Sequence, residues 1–132
     1  MQFFFYGTLL DRTVRARVIG RADLPMRRAA LAGWRRVSAA DGDYPILLRA
    51  PGGAVEGLVA RGITAAEAAR LDAYEGAGYV RRLCPVRTGT GHLAAWAYLP
   101  VAGHAHDRRP WDLDLWRRTR RRRYLARLAA MR

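Results

Sequence analysis

The chain has 132 residues, with 24 basic against 11 acidic side chains, a formal net charge of +13, 51% apolar residues and one cysteine. That length makes a single domain able to bury about two thirds of the surface its unfolded chain exposes, and a lone Cys84 excludes an intramolecular disulfide framework and a zinc cluster. The first apolar run, Phe3 to Tyr6, is far short of a signal-peptide core or a membrane span, so the expectation is a soluble protein of the reducing cytoplasm.

Residues 2 to 6 (QFFFY) are nearly continuously apolar and end at Gly7, which predicts a buried opening strand. Thr8-Leu9-Leu10-Asp11 has the spacing of a capping box, predicting a helix from Leu9 to Gly20 with Thr8 as its cap. Strands follow at Ala29 to Ser38, Tyr44 to Arg49 and Val55 to Arg61, the last two joined by a tight Pro51-Gly52-Gly53 turn. Thr64-Ala65-Ala66-Glu67 is a second capping box; Ala68, Ala69, Leu71 and Tyr74 continue it at helical spacing until Gly76-Ala77-Gly78. Tyr79 to Thr88 and His92 to Leu99 are two more strands. Beyond a polar loop around His104 to Arg109, Pro110 opens a final helix of some 20 residues. Six short strands with scattered helices predict an α+β fold with a small closed or partly closed β-barrel flanked by short helices.

Two places can carry chemistry. At Tyr6-Gly7-Thr8-Leu9 a strand meets a helix start, whose unpaired amides and partial positive charge suit a carboxylate or phosphate, with Gly7 permitting close approach. The pattern alone fits an ordinary strand-to-helix turn equally well. Glu75 falls in the last turn of its helix, where the negative end of the dipole disfavours ionisation. Shielding by Tyr74 and neighbouring strands would raise its pKa further and make it a proton acceptor near neutral pH; a solvated surface Glu is the plain alternative. Asp72 is the competing carboxylate. His92, His104, His106 and Cys84 lack the neighbours that metal binding or nucleophilic catalysis requires, and Trp34 reads as packing.

Taken in order, the segments Tyr6-Gly7-Thr8-Leu9-Leu10, Leu31 to Val37, Tyr44-Pro45, Pro51 to Gly57, Leu71-Asp72-Ala73-Tyr74-Glu75-Gly76 running into Gly78 to Arg82, and Trp96-Ala97-Tyr98 resemble the gamma-glutamylcyclotransferase-like family, which includes the avirulence-induced plant proteins. The resemblance covers about residues 2 to 99. It implies a small barrel whose cavity opens where the first loop meets the Glu-bearing helix. It also implies that Tyr6, Gly7, Thr8 and Leu9 bind the α-carboxylate and α-amino end of a small γ-glutamyl substrate. Glu75 is then the catalytic acid/base, and Tyr79 and Tyr98 line the cavity. The reaction so implied releases 5-oxoproline by intramolecular attack of the α-amino group and needs no metal, cofactor or protein nucleophile. A γ-glutamyl group carried on a larger molecule would undergo the same chemistry.

The sequence divides by this reading into residues 1–107, the cyclotransferase-like part, and residues 108–132, a basic helical extension packed on it. The extension has a charge of +8 and leaves +5 for the rest. Leu113, Trp116, Tyr124, Leu128 and Met131 keep a helical stripe interrupted by Arg120, so the remaining arginines would form a positive solvent face. The rival function is therefore a non-catalytic module that contacts nucleic acid or an acidic partner through Arg117 to Arg123. All 24 basic residues are arginine, alongside 24 alanines and no lysine or asparagine. GC-rich coding explains that choice of cation and weakens the nucleic-acid reading.

Overall fold

Strand β1 (Phe3–Phe5) is buried on both sides, which is why its sequence does not alternate. Phe4 enters an apolar cluster with Leu31, Leu47, Val55, Val59 and Val86. Phe3 and Phe5 join a second cluster with Val14, Ile19, Leu71 and Trp116, contributed by the helices. The computed structural model describes residues 1–101 and 106–130. Its further elements are α1 (Arg12–Ile19), β2 (Met26–Ala39), β3 (Pro45–Ala60), α2 (Ala65–Glu75), β4 (Tyr79–Thr88), β5 (Gly91–Pro100), β6 (His106–Pro110), α3 (Leu113–Thr119) and α4 (Arg121–Ala130).

Five strands close into a barrel in the order β3-β1-β5-β4-β2, with β2 returning to β3, and β6 adds to the outer end of β2. Only the β1–β5 pairing is parallel. Closure brings β1 and β3 so near that a Cβ at Gly57 would collide with the Phe5 carbonyl oxygen. The α+β barrel expected from the sequence is the fold observed.

Four local expectations change. Pro51-Gly52-Gly53 does not end a strand. The two predicted strands form one, β3, with residues 50–53 bulging out opposite Gly33 where the β2–β3 register shifts. The expected cap at Thr8 fails because residues 8–10 form a single 3-10 turn, and Asp11 caps α1 by accepting from the Thr13 and Val14 amides. Pro110 closes strand β6 rather than opening a helix. The expected final helix is two, α3 and α4, broken at Arg120. The capping box at Thr64 and Glu67 is present as read, with the Arg21 side chain on Glu67 holding its carboxyl down to about 2. His104 lies outside the described residues.

The basic extension is not a free positive face. Asp11 is buried; its Oδ2 accepts from Arg117 at 3.3 Å and Arg121 at 2.8 Å. Burial pushes the Asp11 carboxyl up, but these arginines and the Val14 amide outweigh it and hold the carboxyl below its usual range. Asp43 has no exposed surface, and Arg123 and Arg127 both pair with its carboxylate while Arg120 lies 3.9 Å away. The Trp116 indole N–H also donates to the Asp43 carbonyl at 2.7 Å. Two buried aspartates thus dock both helices of the extension, leaving Arg118 and Arg122 as exposed arginines of that stretch without a carboxylate partner among the described residues.

Replacing Asp43 with Asn removes charge-assisted hydrogen bonds to half-exposed arginines that can turn to water. The expected loss is about 1.5–3 kcal/mol, read as a lower urea midpoint at unchanged slope.

Candidate functional site

A cavity of about 940 Å³ opens between the 3-10 turn, α1, the end of α2 and α4. Its walls include Tyr6, Gly7, Thr8, Leu9, Glu75, Tyr79 and Tyr98, so the structure brings every site residue expected from the sequence to one place. Tyr124, Arg127 and Leu128 of α4 also form part of the wall. Sequence reading missed these; the apolar stripe containing Tyr124 and Leu128 was the available signal.

The loop from Tyr6 to Asp11 is held along its whole length. Arg36 donates to the Tyr6 carbonyl at 2.6 Å, and the Tyr6 hydroxyl donates to the Tyr98 carbonyl at the same distance. A Cβ on Gly7 would lie 2.7 Å from Pro45 Cγ, so glycine is required there by close approach rather than by backbone angle. Buried Arg15 donates to the carbonyls of Leu9 and Leu10. With the loop's carbonyls engaged, the amides of Gly7, Thr8 and Leu9 find no acceptor among the described residues. All three residues line the cavity.

Glu75 ends α2, directly before Gly76 in a left-handed conformation. Its carboxyl has neither a hydrogen-bond donor nor an ion-pair partner among the described residues. Desolvation by burial raises its pKa to about 8. Around it stand Tyr6, Tyr74, Tyr79, Tyr98 and Tyr124; burial pushes each phenol up, and the Glu75 charge adds to the shift of all five. Asp72 is different. It accepts a 2.6 Å bond from the Tyr98 hydroxyl and pairs with Arg81 at 3.3 Å. Tyr98 therefore borders the cavity with its hydroxyl committed to Asp72, while the Tyr79 hydroxyl donates to the Pro45 carbonyl at 3.2 Å.

No group of three or more His, Cys, Asp or Glu able to hold a metal occurs among the described residues. No described helix is long and apolar enough to cross a membrane. Cys84 is half-buried with its thiol pushed up by burial, which disfavours the thiolate.

Residues 3–118 match the family described as gamma-glutamyl cyclotransferase, AIG2-like. The match runs past Leu99 and through most of α3, further than the sequence motifs alone reach. A protein of Arabidopsis thaliana solved in solution superposes with a TM-score of 0.72 at 25% identity, over 96% of this chain and 86% of its own. A second A. thaliana protein gives 0.69 at 26% identity, over 98% and 80%. A structure named gamma-glutamyl cyclotransferase gives 0.62 at 16% identity, over 98% and 86%, a likeness of fold. No curated protein is significantly similar in sequence.

The raised pKa of Glu75 has a consequence for stability. Between its ordinary value of 4.5 and about 8, the folded chain keeps a proton on Glu75 that the unfolded chain releases. This contribution is present at low pH and is lost as pH rises, by up to about 1.4 kcal/mol per pH unit. Glu75→Gln removes it, so the melting temperature of the variant is expected to gain on the parent between pH 5 and pH 8. A difference in thermal unfolding that stays constant over this range contradicts the assignment.

Proposed function

The chain belongs to the gamma-glutamyl cyclotransferase, AIG2-like family, and on that premise we propose that it cleaves a γ-glutamyl amide or amine by ring closure, releasing 5-oxoproline and the free amine. The observation that carries this reading is Glu75: a desolvated carboxyl without a cation, in one cavity with the unsatisfied amides of Gly7, Thr8 and Leu9. Those amides receive the substrate's α-carboxylate. The α-ammonium, one carbon away, lies toward Glu75.

Glu75 in its ionised form takes a proton from the ammonium, and the freed nitrogen attacks the γ-carbonyl carbon to close the five-membered ring. The C–N bond to the leaving amine then breaks as the protonated Glu75 returns the proton to that nitrogen, and the second proton of the attacking nitrogen passes to the released amine, which departs as its ammonium. The step balances without an external nucleophile. Because the attack is already intramolecular, the protein's part in alignment is to hold the glutamyl chain in the ring-closing conformer. Asp72 is a poor substitute because Tyr98 and Arg81 occupy its carboxylate.

The rival reading, a basic module for nucleic acid, loses its main support. Arg117, Arg121, Arg123 and Arg127 serve as ion-pair partners of Asp11 and Asp43 and hold the extension against the cavity. Removing the chain after Pro110 would remove one wall of the site along with the helices.

The test is to incubate the protein with glutathione, γ-glutamyl amino acids, γ-glutamyl-lysine and simple γ-glutamyl amines and to follow 5-oxoproline by mass spectrometry. Turnover is expected for at least one. Glu75→Gln is expected to lower it about 10²–10⁴-fold. kcat/KM of the parent is expected to rise with pH through a midpoint near 8 as Glu75 ionises. Absence of 5-oxoproline across the panel refutes the proposal, and undiminished turnover by the Gln variant refutes the role of Glu75.

A further inference from the structure

Three hydroxyls from three distant parts of the chain meet at the cavity wall. Thr8 Oγ1 lies 2.7 Å from the Tyr74 hydroxyl; Tyr74 and Tyr124 share a short hydroxyl contact; and Thr8 and Tyr124 are 3.5 Å apart. Thr8 belongs to the loop with the unsatisfied amides, Tyr74 precedes Glu75, and Tyr124 comes from α4. The residues flanking Tyr124 are those that anchor the extension, with Arg121 on Asp11 and Arg123 on Asp43. Trp116 packs edge-on against the Tyr124 ring at 5.5 Å, and Arg17 donates to the neighbouring Leu125 carbonyl at 3.1 Å. The ring is thereby fixed from several sides.

We propose that Tyr124 is a positioning residue of the active site: through the shared hydroxyl cluster it fixes Thr8 and hence the Gly7–Leu9 loop that receives the substrate's anionic end. Hydrogen counting explains how. Three neutral hydroxyls carry three protons, and the two close contacts use two of them. The third contact is at the outer limit of a hydrogen bond, so one O–H remains for an acceptor in the cavity. Thr8 is the member shared with the loop, and a cluster fixed at Tyr124 limits the orientations open to its hydroxyl. This role rests on the cyclotransferase reading and adds to it a function for the Arg-rich extension, which carries Tyr124 to the site.

The experiment compares Tyr124→Phe with the parent on the best substrate of the panel. Loss of one neutral hydrogen bond is expected to raise KM about 3- to 10-fold, with kcat within about twofold and the pH midpoint unmoved. Thr8→Val removes the other close contact of the same cluster, that of Thr8 with Tyr74, so the effects on KM of the two substitutions are expected to be less than additive in the double variant. Backbone amide exchange at residues 7–10, measured without substrate, is expected to quicken in Tyr124→Phe. Unchanged KM with unchanged exchange overturns the proposal, as does a loss confined to kcat or strict additivity with Thr8→Val. If Tyr124→Phe does not fold, Thr8→Val alone must show the KM rise for the proposal to stand. A parent without turnover counts against the cyclotransferase reading only, and the exchange measurement then decides the role of Tyr124.

Discussion

The site depends on a cavity carboxylate that has no arginine partner among the described residues of a chain crowded with arginine. Asp11, Asp23, Asp41, Asp43, Glu67 and Asp72 each lie within 4.0 Å of a guanidinium. Glu75 does not, although Arg17, Arg70 and Arg127 border the same cavity. An arginine within about 4–6 Å would lower its pKa by one to three units and hold it ionised at neutral pH. Around Glu75 the walls present tyrosines instead, whose hydroxyls are tied to carbonyls, to Asp72 or to one another. Their rings exclude water while adding no positive charge. The end of a helix is a consistent place for such a group, since the dipole there also disfavours ionisation.

The same arginines that stay away from Glu75 build the frame around it. Arg15 and Arg36 bind carbonyls of the loop at the cavity mouth, while the amides of Gly7, Thr8 and Leu9 have no acceptor among the described residues. Arg117, Arg121, Arg123 and Arg127 close α3 and α4 onto two buried aspartates. A buried carboxylate is costly unless paired, so each aspartate makes docking of the extension obligatory rather than optional. The +13 net charge therefore describes composition more than it describes a binding surface. Arg117, Arg121, Arg123 and Arg127 are partly exposed yet anchored by buried carboxylates.

How much of this was legible before the structure depended on range. Local patterns are legible in the sequence: the strand of three phenylalanines, the Thr64–Glu67 capping box and the helix end at Glu75. The cap at α1 was misplaced because Thr8 and Asp11 are both capping residues, and the contact that decides between them, Thr8 with Tyr74, spans 66 residues. The Pro51–Gly53 segment looked like a chain reversal, yet β2 pairs with both halves of β3 and carries the strand across the bulge. The pairs of Asp43 with Arg123 and Arg127 span 80 and 84 residues and leave no trace in periodicity. For that reason the sequence alone places the arginines of the extension on a solvent face and does not bring α4 to the site.

The central claim is that the Glu75 carboxyl is held protonated at neutral pH by burial and becomes the proton acceptor as it ionises near pH 8. Carbon-13 NMR titration of the side-chain carboxyl, assigned by comparison with Glu75→Gln, measures this without any assumption about substrate. The account expects a single resonance titrating with a midpoint near 8. A midpoint at the ordinary value near 4.5 would show a solvated or paired carboxylate and would contradict it.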